Sequence, residues 1–236
     1  MTEIDHDLIY QDEASQYHTL ISKQQQLAHV VNGIRDCEGL DIVDLGAGTG
    51  RLTTALAPFA KSIKALDASA AMLQINASRL QQAGAANWTT AAADLRKLPL
   101  ESQSADLIVA GWAICYLASN NAPNWEQNLQ EIMAEMKRVL RPGGTIIIFE
   151  NMGTGSTIPD PPSFLKPYFS ELEGKYGFSH KWIRTDYQFD SLAQAEELTR
   201  FFFGDWLADA VREQALVRVP ECAGVWWLHH EDRTEL

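Results

Sequence analysis

Between Leu20 and Ile34 apolar residues return every three or four positions (Leu20, Ile21, Leu27, Val30, Val31, Ile34) among Gln, Lys and Asn, the period of a helix with one buried face. Past residue 40 the texture changes. Short apolar runs at 41–45, 62–66, 87–93, 105–111 and 145–149 have the length of buried strands, and helical patterns lie between them wherever there is room. Residues 70–83 carry Met72, Leu73, Leu80 and Ala83 behind Ser69, a residue type that caps helix N-termini. Residues 124–140 carry Trp125, Leu129, Ile132, Met133, Met136, Val139 and Leu140, then stop at "RPGG". Such alternation predicts an α/β fold, because parallel strands need long crossovers and the crossover helices cover both faces of the sheet.

After residue 150 the pattern loosens. "NMGTGSTIPDPPS" is rich in turn formers and reads as a loop, Phe164 to Tyr176 as an aromatic helix, and "KWIRTDYQF" as a strand. Two helices over about 191–217 and a last strand, "CAGVWWLHH", follow. No internal repeat or low-complexity tract interrupts the chain, so the tail is expected to complete the same sheet while adding a cap, with residues 1–236 forming one domain.

Composition narrows the partners. The formal charge is −12, from 19 Lys and Arg against 31 Asp and Glu, and no basic block offers a track for nucleic acid. Cys37, Cys115 and Cys222 are far apart and odd in number, which argues against both a disulfide framework and a zinc site. The acidic start "MTEIDHDLIYQDE" does not read as a secretory signal, and the longest apolar run, Leu107 to Ala118, is shorter than the roughly 20 residues of a membrane-spanning helix. A soluble cytoplasmic protein with no membrane contact is the expectation.

The chemistry starts at "DLGAGTGRL", residues 44–52. A triphosphate-binding loop would end in Gly-Lys-Ser/Thr, but Gly50 is followed by Arg51 and Leu52. A dinucleotide fingerprint spaces its glycines G-x-G-x-x-G, whereas Gly46, Gly48 and Gly50 alternate. What remains is a tight strand-to-helix turn that brings backbone N–H groups and the positive end of a helix to a ligand, with the carboxylate of Asp44 just before it. Asp67 ends the second strand in "IKALDAS"; a carboxylate there accepts from both hydroxyls of a ribose and repels a ribose phosphate. Asp94 ends the third strand in "TAAADLRKLPL", placed to accept from an adenine amino group.

Over roughly residues 40–150 the chain thereby resembles the class I S-adenosylmethionine-dependent methyltransferases. Asp44-Leu45-Gly46-Ala47-Gly48-Thr49-Gly50 is similar to that family's first motif, Asp67 to its ribose-binding acid, and Asp94-Leu95 to its adenine-binding pair. "DLIVAGWAICYL" resembles the fourth-strand motif and "VLRPGGTIIIFE" the turn and fifth strand. The resemblance implies a Rossmann-like, seven-stranded, mostly parallel sheet with an antiparallel last strand. Around it would lie an N-terminal helical lid (1–39), a cofactor-binding core (40–150), and an acceptor cap with the last two strands (151–236). It further implies S-adenosylmethionine as cofactor, leaving as S-adenosylhomocysteine, with Tyr17, Ala68, Met72, Gly111 and Trp112 joining the motif residues around it. A sulfonium methyl is already activated, so the protein has chiefly to hold donor and acceptor in line and exclude water while an O, N or C nucleophile attacks.

Each candidate has a plainer alternative. The glycines serve any tight turn, Asp67 suits a helix N-terminus, and Asp94 has Arg96 and Lys97 beside it for a surface ion pair. Trp112 either lies over the methionine end or acceptor, where a sulfonium favours an aromatic face, or wedges the core. Tyr10 and Tyr17 resemble lid tyrosines and equally suit helix packing. For a catalytic base the candidates are His180, otherwise a solvated loop residue, and Glu150 at the tip of the fifth strand, otherwise a cap for the following loop. His229 and His230 are expected to face solvent.

No Asn/Asp-Pro-Pro-Tyr/Phe sequence follows the fourth strand, as in the amino-methyltransferases of DNA bases, and no double-glutamate loop of the protein-arginine type. Gly111 and Trp112 stand where the metal-dependent catechol type has acids, so no metal is expected. A tail carrying Phe164, Tyr168, Phe169, Trp182, Phe201, Phe202, Phe203 and Trp206 suits an apolar or aromatic small-molecule acceptor, although part of that set must be core. The leading expectation is a small-molecule methyltransferase, and the alternative is an S-adenosylmethionine-binding regulatory partner without chemistry of its own. Oligomeric state leaves no trace in the pattern.

Overall fold

The computed structural model describes residues 5–230. Three short helices come first: α1 (His6–Asp12), α2 (Ala14–Ile21) and α3 (Ala28–Asn32). The helical period between Leu20 and Ile34 is therefore broken, with Leu27 and Val30 buried on a separate turn from Leu20. Strand and helix then alternate through β1 (Asp41–Leu45), α4 (Thr53–Leu56), β2 (Ser62–Asp67), α5 (Ala70–Gln82), β3 (Trp88–Ala92), β4 (Ala105–Gly111), α6 (Cys115–Ala118), α7 (Trp125–Val139) and β5 (Leu140–Thr154). Ser69 caps α5 as its residue type predicts, accepting from the Met72 N–H. The tail supplies α8 (Lys166–Gly174), β6 (Ser179–Arg184), β7 (Tyr187–Gln188), α9 (Leu192–Phe203), α10 (Asp205–Glu213), β8 (Arg218–Val219) and β9 (Glu221–His229).

Seven strands form one sheet in the order β3-β2-β1-β4-β5-β9-β6. Neighbours from β3 to β5 run parallel, and β9 is antiparallel to both β5 and β6. The α/β class and the antiparallel last strand are as expected. Two boundaries differ. β5 runs on through Asn151 to Thr154, because β9 continues to pair with it into the first residues of the stretch expected to be loop. "KWIRTDYQF" splits in two: its first part joins the main sheet in β6, while Tyr187 and Gln188 pair with β8 in a separate ribbon. Asp186 holds that corner, accepting from the Arg184 and Arg218 side chains and from the Glu221 N–H.

Side chains alternate across the sheet and fill a core on each face. Ile146 and Ile148 look toward α7 and α8, with Met133, Leu172 and Trp226; Ile147 and Phe149 look toward α3 and α4, with Val31 and Leu56. A third cluster joins Leu20 of α2 to Leu198 of α9, Leu207 and Val211 of α10, and Tyr187 and Val219 of the ribbon. Helices α1 and α2 thus pack on the tail, His6 against Phe202 and Leu20 in this cluster, whereas α3 packs on the sheet. Among the described residues no helix is long and apolar enough to cross a membrane.

Candidate functional site

The strand order reverses at β1, which has β2 on one side and β4 on the other, and in open α/β sheets the crevice beyond such a reversal binds ligands. Two cavities open there, of about 490 Å³ and about 1050 Å³. They share Tyr10, Tyr17, Gly46, Gly48, Gly111, Trp112 and Tyr116. All the expected cofactor residues except Asp44 and Gly50 line one or the other.

The glycine turn is built on contacts that exclude a side chain. Gly46 has φ +64°, and a Cβ there would stand 2.1 Å from the Ala113 Cβ; one at Gly50, φ +89°, would stand 2.5 Å from Asn76 Oδ1. Gly50 therefore serves packing beneath the turn. Asp44 does the same, which corrects the expectation of a ligand-facing carboxylate. It is 1% exposed and accepts from the Thr53 hydroxyl at 2.5 Å, which itself accepts from Asn76 Nδ2 at 3.0 Å. Its position one residue before the strand end puts it under the turn, and burial pushes its pKa up to about 7. Thr49 is tied outward instead, hydrogen-bonded to His18 of α2 at 3.1 Å.

Asp67 lines the smaller cavity and organises it. Its Oδ2 accepts from the Gly48 N–H and its Oδ1 from the Ser69 N–H, both at 2.8 Å, so it braces both the glycine turn and the start of α5. Burial raises its pKa, against those backbone bonds. Asp94, Leu95, Ala68 and Met72 continue the wall. The surface ion pair suggested for Asp94 is present, with Arg96 Nη2 at 2.6 Å, and it holds the carboxyl below its ordinary range. Asp94 is nonetheless at the cavity rim, so the two roles are compatible in space.

Trp112 packs on the core, as its plainer reading has it, and also reaches the cavities. One face stacks on Phe149 of the core at 5.9 Å, the guanidinium carbon of Arg51 lies 4.0 Å from the ring centroid, and the residue borders both cavities. Aromatic residues roof the junction. Tyr10 shares a hydroxyl–hydroxyl hydrogen bond with Tyr116 and meets Tyr17 edge-on at 5.1 Å, while Tyr17 and His6 both contact Phe202 of α9. Burial pushes the Tyr17 hydroxyl up to about 12, so it stays protonated.

Both candidate bases fall outside the cavities. Glu150 is 0% exposed beneath the start of α6, accepting from the Cys115 N–H at 3.1 Å and the Tyr168 hydroxyl at 3.4 Å. Burial lifts its pKa to about 7. It lies on the sheet face opposite Phe149 and supports the β4–α6 connection, where an acceptor-side position was expected. His180 is at the far end of its strand: β6 runs parallel to β5, so Arg184, and not His180, reaches the cleft end. The imidazole is stacked 4.4 Å from Trp226 with Glu173 at 3.8 Å, and burial lowers its pKa.

The larger cavity contains residues the sequence reading passed over: Arg51, Gln24, Tyr116, Asn151 and Glu221. Strand direction was the missed signal for Glu221, because the first residue of an antiparallel strand lies beside the last residues of its parallel neighbours. Of the aromatic set, Phe164, Phe202, Phe203 and Trp206 line this cavity, Tyr168 and Phe169 are core, and Trp182 is exposed on the edge strand.

Residues 43–148 match the family model described as a methyltransferase domain. The chain is 30% identical over 159 residues to a malonyl-[acyl-carrier protein] O-methyltransferase of Marinomonas sp. (strain MWYL1), covering 66% of this chain and 52% of that one. It is 30% identical over 156 residues to a demethylmenaquinone methyltransferase of Lactococcus lactis, covering 64% and 57%. The chain thus spans little more than half the length of these two curated relatives. Its fold is similar to that of a SAM dependent methyltransferase from Aquifex aeolicus, with a TM-score of 0.58 at 14% identity over 92% of this chain and 97% of that one.

Proposed function

We propose that this chain, whose residues 43–148 match a methyltransferase domain and whose seven-stranded sheet supports that reading, is a class I methyltransferase that transfers a methyl group from S-adenosylmethionine to a small-molecule acceptor. The observation that carries this reading is the meeting of two cavities at Gly48, Trp112 and the tyrosine roof, one lined by Asp67 and Asp94, the other by aromatic residues of the tail. The smaller has the size of a small-molecule site and the residues an adenosine needs. Asp67 turns its carboxylate to a ribose diol, Asp94 and Leu95 border the base, and Gly48 and Met72 leave room for the methionyl chain. The cofactor, when bound, supplies a methyl already activated on a sulfonium. Trp112, whose ring stacks on Phe149 and carries the Arg51 guanidinium, borders the junction, and the roof of Tyr10, Tyr17 and Tyr116 keeps water out of it. Orienting two reactants in line is the larger part of such catalysis, which fits a cavity in which neither His180 nor Glu150 stands.

The acceptor side is held by Phe202, Phe203 and Trp206, which suits an apolar or aromatic body. The relatives named for malonyl-carrier protein and demethylmenaquinone support an acceptor of that scale over a nucleic acid, as does the charge of −12. The chain works as one domain, residues 1–39 as lid and 151–236 as cap, in the cytoplasm, where its three free cysteines stay reduced. The test is calorimetric binding of S-adenosylmethionine, followed by transfer of its labelled methyl across a panel of small alcohols, amines and carboxylic acids. Binding plus acceptor-dependent formation of S-adenosylhomocysteine is expected. Absence of binding refutes the proposal, and binding with no transfer selects the regulatory alternative.

A further inference from the structure

Buried polar atoms in a folded protein nearly always have partners, so those that lack one point to a ligand or a strain. Nine such side-chain atoms are found among the described residues, and four of them belong to residues lining the larger cavity: Gln24 Oε1, Arg51 Nε and Nη2, and Glu221 Oε2. Their concentration there is not explained by folding. Shielded donors of a charged group left without partners are costly, and Arg51 has two of them.

Arg51 is the key residue. Its guanidinium carbon lies over the Trp112 ring, 4.0 Å from the centroid, a contact that braces the side chain while leaving Nε and Nη2 without partners. The groups acting on its charge are Tyr187, Tyr17 and Glu221, all on elements that enclose the larger cavity, whereas Asp67 and Asp94 line the smaller one. The fork is therefore presented to the acceptor compartment. Glu221 is the acid beside it: the carboxyl is 2% exposed, and burial pushes its pKa up to about 8 against the attraction of Arg51.

We propose that the acceptor carries a carboxylate, and that Arg51 receives it across its planar fork, with Glu221 and Gln24 completing a polar end to an otherwise aromatic cavity. This rests on the reading of the larger cavity as the acceptor site. A single guanidinium next to an acid matches one negative charge, which favours a carboxylate over a phosphate dianion. The unpartnered Gln24 oxygen adds a place for a hydroxyl or amine donor on the same molecule.

The test uses the whole chain and arylalkanoates of increasing chain length, each paired with its neutral amide and with the matching arylalkyl phosphate. Affinities are measured by titration calorimetry with and without saturating S-adenosylhomocysteine, for the natural protein, Arg51→Gln and Arg51→Lys. At least one carboxylate should bind about tenfold or more tighter than its amide, equivalent to about 1.4 kcal/mol. Arg51→Gln should abolish that preference and Arg51→Lys retain part of it, with S-adenosylhomocysteine affinity unchanged in both. Equal binding of acid and amide to the natural protein, no binding of any carboxylate, or tighter binding of the phosphate overturns the proposal. So does a loss of S-adenosylhomocysteine affinity in Arg51→Gln with the preference retained, because the arginine then serves the carboxylate of the cofactor. Failure of the natural protein to bind S-adenosylhomocysteine refutes the methyltransferase reading separately, and the acid–amide comparison without it still decides the role of Arg51.

Discussion

Replacing Glu150 by glutamine should flatten the pH dependence of stability and make the variant the more stable protein in mildly alkaline solution. The natural side chain is 0% exposed, only Oε1 has donors, and burial raises the pKa from 4.5 to about 7. Folded protein thus holds the Glu150 proton more tightly than unfolded protein does. Below the unfolded pKa both states are protonated and there is no penalty. As pH rises between the two values the unfolded chain releases its proton first, and stability falls by about 1.4 kcal/mol per pH unit. The loss levels off at about 3 kcal/mol once the folded carboxyl ionises as well. Glutamine keeps the size and the Oε1 acceptor and stays neutral throughout, so that loss disappears. Asp44, at about 7, and Glu221, at about 8, contribute slopes of the same sign and remain in the variant, which is why its profile flattens without becoming level. Urea unfolding at about pH 5 and about pH 8.5 is the assay, and the stability difference between the two proteins should change by about 3 kcal/mol across that range. For a domain of 236 residues this corresponds to roughly 6–12 °C in melting temperature. Parallel profiles would show that Glu150 ionises freely in the fold and refute the reasoning.

Asp67→Asn keeps the shape of the strand tip but gives up a charged acceptor and one of the two backbone bonds. Affinity for S-adenosylhomocysteine should fall by roughly 10- to 100-fold, measured calorimetrically, and an unchanged affinity would remove Asp67 from the cofactor site. Gly46→Ala forces a left-handed residue to carry a Cβ 2.1 Å from that of Ala113. A destabilisation of about 2–5 kcal/mol is expected from strain and overpacking together, read from the urea midpoint, and an unshifted midpoint would mean the turn relocates without strain.

The three acids at strand tips show what was legible and what was not. Asp44, Asp67 and Asp94 look alike in the sequence, each closing an apolar run, and the fold that places them side by side followed from that repetition. Their roles are separated by depth, a property of the assembled crevice. Asp44 sits one residue before its strand ends and is sealed below the turn, Asp67 is at the last position and meets the cavity, and Asp94 lies two residues beyond β3, where Arg96 can reach it. Local pattern therefore marks the smaller cavity, because the motifs that build it are continuous in the chain. The larger cavity joins Gln24, Arg51, Phe202 and Glu221 from the turn after α2, the glycine turn, α9 and β9, segments that meet only after the last strand inserts between β5 and β6. That insertion also decides the fate of His180. Since β9 is antiparallel to both neighbours, the first residue of β9 and the last of β6 are carried to the cleft, and the start of β6 is carried away from it. Strand direction, applied to the tail as it was to the core, turns attention from the histidine to Glu221.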